Sequence, residues 1–205
     1  ANWFGGIYQD RKNFFANFAV SPNFLDVYPE FLLSDQEKRA FASTRTAAVV
    51  GENLAKRFGW RIGDKIPLEA TIFLAADGGS TWTFDLVGIF RARDKRDRGQ
   101  EDQMWFRYDY FDENRVLSNG TVGWYVVQVV DPGHADTVAQ AIDKLFANSE
   151  AETKTQTEKQ FSMDFVRQMG DVGLIVTSIM GAVLFAILLL TGNTMSQAVR
   201  ERIPE

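Results

Sequence analysis

Residues 173–192, GLIVTSIMGAVLFAILLLTG, hold no charged side chain, and this run constrains the chain more than any other. A helix drawn over 172–192 rises roughly 30 Å, the thickness of a bilayer's hydrocarbon core. A core helix of a soluble domain keeps one polar stripe; here the polar side chains are Thr177, Ser178 and Thr191. Such hydroxyls return to the backbone carbonyl one turn earlier, so lipid tolerates them. Gly173 and Gly181 leave small spots where another helix can approach closely. About 18 apolar residues without a charge mark a membrane span. The sequence therefore predicts a transmembrane helix over 172–192, against the alternative of a buried core helix. Its place after a long polar region excludes a cleaved signal peptide.

Setting the span and its short tail aside leaves about 170 residues, enough for one sizeable domain or two small ones. Net charge is -5 and the pI about 5.0, with mean hydropathy -0.18. No broad basic field exists to attract nucleic acid. Cysteine is absent, which removes disulfides, thiolate catalysis and cysteine metal sites. The chain begins at Ala1 without an initiator Met and stops shortly past the span, so it is expected to be a piece of a longer protein.

Along the chain, NFFANFAV puts Phe14, Ala16, Phe18 and Val20 on one face, the pattern of a half-buried strand. SPNFLDVYPEF predicts a short helix with Ser21 as N-cap, Pro22 at the first helical position and Pro29 at its end. Ser34 and Glu37 have capping-box spacing and predict a second helix. TAAVV is a β-rich run leading into GENLAKRFG, a helix of about two turns closed by Gly59. KIPLEATIFLA and TWTFDLVGIF read as strands about a turn at Asp77, Gly78 and Gly79. RARDKRDRGQED reads as an exposed, mixed-charge loop. QMWFRY is a strand and DYFDENRV a polar helical turn. TVGWYVVQVV is expected to be a strand, DPG a turn, and HADTVAQAIDKLFAN a helix with Val138, Ile142, Leu145 and Phe146 on its apolar face. ETKTQTEKQ suits an exposed strand, which completes a βαβ-like unit. QFSMDFVRQMGDVG then places Phe161, Phe165 and Met169 at four-residue spacing. That helix can run into the span, since Gly170 and Gly173 loosen a helix without ending it.

No catalytic, cofactor or metal constellation emerges. The one histidine, His134, lacks the partner that metal binding or a Ser–His pair requires. Asp109, Asp112 and Glu113 lack the spacing of a calcium loop and read as a solvated face. There is no phosphate-binding Gly-x-x-x-x-Gly-Lys-Ser/Thr stretch, and Gly51 and Gly59 have the wrong spacing for a dinucleotide fingerprint. The basic run between Arg91 and Arg98 also holds Asp94 and Asp97, so phosphate binding is not favoured. The aromatic-rich start reads as core packing rather than a binding surface. The expected architecture is an α+β domain on one side of a membrane, a helical stalk, and a span.

The order of several sequence words resembles the MacB/FtsX-type ABC transporter permeases. AAVVGENLAKRFGWRIGDKIPL is similar to that family's recurrent motif, and FDLVGIF to the strand that follows it. NTMSQAVRERIPE resembles the short cytoplasmic stretch leading toward the ATPase-contacting helix, with Asn193, Met195, Val199, Arg200, Glu201 and Arg202 matching. ANWFGGIYQD is similar to part of a small-permease subgroup. The resemblance implies an extracytoplasmic Porter-like domain in two discontinuous pieces, 1–45 and 122–160, with a β-rich Sabre-like subdomain inserted at 46–117. A stalk helix at 161–171, the membrane helix at 172–192 and a cytoplasmic start at 193–205 follow. By the same analogy the chain lacks the first, third and fourth membrane helices.

The resemblance further implies an inner-membrane location with the main domain periplasmic, and a dimer of two permease copies beside a separate or fused ABC ATPase. A periplasmic adaptor or substrate, and membrane lipid, would be further partners. ATP hydrolysis is expected in the partner, not in this chain. Phe161, Phe165, Arg167 and Met169 would couple the stalk, and Arg200 and Arg202 would lie toward the ATPase. Charge alone does not set orientation: Lys159 and Arg167 precede the span, and Arg200 and Arg202 follow it. A single-pass sensor ectodomain is the alternative, and a membrane-tethered hydrolase suffers from the missing nucleophile–base pair.

Overall fold

The computed structural model describes the backbone of residues 1–202 and the side chains of these residues except Arg96, Ser162, 165–174 and 197–202. The chain divides into two units, Ala1–Gln128 and Val129–Glu205.

The first unit is a mixed seven-stranded sheet with short helices on it. Its strands are β1 (Asn2–Trp3), β2 (Ala16–Val20), β3 (Phe31–Leu32), β4 (Ala47–Gly51), β5 (Lys65–Glu69), β6 (Thr81–Ala92) and β7 (Gln103–Arg107). The helices are α1 (Phe24–Val27), α2 (Asp35–Ser43), α3 (Glu52–Phe58) and α4 (Tyr108–Asn114). Strand order is β1-β2-β7-β4-β6-β3, with β5 also on β6. β2 lies parallel to β7, and β4 parallel to β6; the other pairs are antiparallel.

β4 is buried along its whole length, as a central strand covered on both faces must be. Ala48 and Val50 join one cluster with Phe4, Leu54, Phe84 and Phe106. Ala47 and Val49 join another with Phe41, Phe90 and Trp105. The rings pack mostly edge to face, as their quadrupoles prefer; Phe4 meets Trp82, Phe84, Phe106 and Phe111 in this way. Phe90 and Trp105 stack instead, with centroids 4.1 Å apart.

Several local expectations hold. Ser34 caps α2 in a full capping box with Glu37. α3 ends at Gly59, whose φ of 70° is the left-handed cap that glycine adopts without strain. β5 and β6 form the antiparallel pair, and in their connection the Gly79 N–H donates to Asp77 Oδ1.

Others are corrected. β2 is covered on both faces: Phe15, Asn17 and Ala19 are buried on one, while on the expected face Val20 is fully buried, Ala16 and Phe18 partly so, and Phe14 is exposed. Asn23, not Ser21, is the N-cap of α1, and Pro22 lies before the helix. The charged run is no free loop. A 3-10 helix spans Lys95–Asp102, and Glu101 is buried with its carboxylate accepting the Ala92 N–H. Gly51 makes this approach possible, since a Cβ there would lie 2.1 Å from the Glu101 carbonyl oxygen.

Residues 122–130 form no strand. Gly123 and Trp124 donate their N–H groups to the Ala1 carbonyl, and Tyr125 and Val127 remain exposed. The expected strand at 152–160 is absent too: 152–157 form no strand and 158–160 open the last helix, so the βαβ-like unit does not form. The stretches 1–45 and 46–117, expected as separate pieces, share one sheet, because β2 pairs with β7 and β3 with β6. The division falls instead between Gln128 and Val129.

The second unit holds α5 (Ala135–Phe146) and α6 (Glu158–Arg202). α5 has the expected amphipathic pattern but buries no side chain, and Leu145 and Phe146 are exposed.

Candidate functional site

α6 is one helix of 45 residues, about 67 Å long at 1.5 Å per residue. The residues before it explain where it starts. Gln160 N–H donates to Thr157 Oγ1 at 3.3 Å, and Thr157 N–H donates to Gln160 Oε1 at 3.1 Å. This is a reciprocal capping box. Thr157-x-x-Gln160 has capping-box spacing, and that signal was hidden in a stretch read as an alternating strand.

Within α6, Ile175–Ser196 is long and apolar enough to cross a membrane, and none of it is buried. Thr191 Oγ1 donates to the Ile187 carbonyl and Thr194 Oγ1 to that of Leu190, each at 2.8 Å. These hydroxyls are satisfied inside the helix, so hydrocarbon around them costs no lost hydrogen bond. Of the expected coupling residues, Phe161 stands exposed on the helix before this window. The side chains of Phe165, Arg167, Met169, Arg200 and Arg202 lie outside the described residues, as does the whole of 203–205.

The carboxylates weighed as a metal site are kept apart, each on its own arginine. Asp109 pairs with Arg107, Asp112 with Arg115, and Glu113 with Arg45. Arg107 also donates to the Phe41 and Ala42 carbonyls, which ties α4's start to α2's end. Asp112 accepts the Gly120 N–H at 2.9 Å. Burial works to raise its pKa, but the hydrogen bonds from Gly120, Arg115 and Tyr108 outweigh it and leave the value lowered. Arg115 is buried against the Phe111 ring, its guanidinium carbon 4.6 Å from the centroid. These contacts fix the loop after α4. Among the described residues no group of three or more His, Asp or Glu side chains could hold a metal. His134 lies 2.8 Å from Asp131 in an exposed turn.

On the first unit a groove of about 700 Å³ is lined by Leu33, Glu37, Glu52, Trp60, Ile89 and Arg91 among others. Both carboxylates in it are engaged. Glu52 bridges Lys56 and Arg91. Glu37 takes the Ile89 N–H at 3.0 Å as well as the Ser34 N–H and hydroxyl. Sequence reasoning found Glu37 as a cap but missed its hold on β6, which depends on Gly88 letting Leu33 and Glu37 approach.

No family model matches the chain. No curated protein matches it. Among solved structures, it is similar to a domain described as that of a "putative Permease protein" from Porphyromonas gingivalis. The two share 16% identity at a TM-score of 0.42, over 76% of this chain and 73% of that one.

Proposed function

We propose that the chain is the extracytoplasmic domain and one membrane helix of an ABC transporter permease of the MacB/FtsX type, and that it passes ATP-driven motion of a partner ATPase to substrate outside the inner membrane. The observation that carries this reading is the continuity of α6, which joins the polar 158–174 segment to the apolar Ile175–Ser196 window without a break. A rod that crosses a bilayer can carry a displacement of a few ångströms only if each turn is bonded to the next. In this proposal a second permease copy and an ABC ATPase are the partners, with an adaptor or substrate on the periplasmic side. Arg200 and Arg202 lie toward the ATPase. The chain itself performs no catalysis.

The test is Arg167→Pro in the assembled transporter. Proline removes one helical hydrogen bond and clashes with the preceding turn, costing about 3 kcal/mol and kinking the rod. Insertion is expected to survive, ATP turnover to persist, and transport to stop, while Arg167→Ala transports normally. Equal transport by the two variants defeats the proposal. The groove favours the competing reading, a single-pass sensor, because it offers a ligand a place on the first unit. A ligand that protects the first unit against thermal unfolding, with no ATPase partner required for activity, would favour the sensor.

A further inference from the structure

A rod moves a domain only if the joint between them has no slack. The chain between α5 and α6, residues 147–157, could extend to about 35 Å, so a shift of a few ångströms in α6 would be absorbed before it reached α5. Asp143 removes most of that freedom. Its Oδ1 accepts the Thr155 N–H at 2.8 Å and the Thr153 hydroxyl at 3.2 Å. Among the described residues, the hydrogen bonds joining 150–157 to α5 both end on this one oxygen. With Thr155 held, the free chain to Glu158 is about 10 Å when fully extended. Thr157 and Gln160 then fix the direction in which α6 leaves.

We infer that Asp143 is the joint between the rod and α5, a carboxylate oxygen that takes up the slack of 150–157 so that α6 and α5 move together. This rests on the proposed reading for its purpose, but the joint itself is independent of transport. Asp143 is a positioning residue. What matters is an acceptor at Oδ1, not the charge, so Asn in its place should serve and Ala should not.

The chain has no cysteine, so Gln140→Cys on α5 and Lys159→Cys on α6 would be its only thiols, and both positions are exposed. Spin labels there, in the 205-residue chain in lipid nanodiscs, report the distance between the helices by double electron–electron resonance. A narrow distribution is expected for the native residue and for Asp143→Asn. For Asp143→Ala the width should grow roughly twofold or more, as for a flexible linker. An unchanged width in Asp143→Ala, or a broad one in Asp143→Asn, overturns the inference.

Hydrogen exchange on the unsubstituted chain is the second measurement, and it does not depend on any variant folding. The Thr155 amide should exchange more slowly than those of Lys154 and Gln156, and equal rates overturn the joint. Transport by Asp143→Ala in the assembled permease separates the two claims. A broadened distance with full transport defeats the rod as transmitter and leaves the joint standing; lost transport with an unchanged distance defeats the joint.

Discussion

In Ala1–Gln128, Phe4, Phe84, Phe106 and Phe111 are fully buried, and so are Trp82 and Trp105 to within a few per cent. In Val129–Glu205 no described side chain is buried, although Ile179, Leu184, Phe185 and Leu190 are as apolar as any core residue. Burying one such side chain is worth about 1.5–3 kcal/mol. The first unit gains this from its own two clusters, and the described side chains of the second gain little of it within the chain. The polar groups follow the same division: Asn17, fully buried in the first unit, has its amide bonded to the Gly6 and Phe15 carbonyls. In the second unit Thr191 and Thr194 of α6 turn back on their own helix. Self-sufficiency and dependence are thus written in the same chain.

The sharpest way to break this comparison is to remove the apolar helix. A chain shortened to end at Gly170 should be monomeric in buffer by light scattering, while the full chain should need detergent or associate. A full chain monomeric in buffer would show that the window finds its own cover.

Next in size is Gly51→Ala. The added Cβ meets the Glu101 backbone at 2.1–2.4 Å, so strand and loop must separate, at a cost of about 3 kcal/mol. Urea unfolding of the shortened chain measures it. An unchanged midpoint would mean the first unit is packed less tightly than its clusters imply.

Glu37→Gln should cost less, about 1 kcal/mol at neutral pH, as for a lost cap. Burial pushes the Glu37 pKa up, but the Ser34 hydroxyl, the Ile89 N–H and the Ser34 N–H together pull it below the ordinary 4.5. A depressed folded value gives stability that is full above the unfolded pKa and is lost as pH falls through the folded one. The gap between native and variant should therefore close below about pH 4.5. A gap that stays constant down to pH 3 rules out the carboxylate as its source.

Gly181→Ala should do least. Nothing lies within 4 Å of a Cβ there, so only helix propensity changes, in the stabilising direction and by at most about 1 kcal/mol. Circular dichroism in micelles checks it, and a marked loss of helix would reveal a partner pressed against that face.

What could be read from the sequence was local. Ser34 and Glu37 announce α2 because a capping box is complete within four residues, and Gly59 ends α3 through its own backbone freedom. The apolar run was legible because an unbroken stretch without a charge is a local property of the sequence. Pairing was not legible. TVGWYVVQVV has the residues of a strand, yet a strand needs a ladder, and the backbone bonds of Gly123 and Trp124 reach only Ala1, just before β1. Glu101 sits in a run of charges that reads as solvent-exposed, and its burial follows from the missing side chain at Gly51, fifty residues away. Asp143 carries no local signal, because its partners Thr153 and Thr155 lie ten and twelve residues further on.

β2 lies parallel to β7, Ala16 beside Gln103 and Val20 beside Arg107, and that pairing has a consequence for the order of events during synthesis. The second strand made must wait for the seventh before it has a partner on that side, with a long loop to close first. Parallel pairings of such separation form slowly, and the waiting segment, with Phe15 and Phe18 on opposite sides, would be exposed meanwhile. A chaperone that holds residues 1–20 would therefore matter most in the seconds before Gln103 is made.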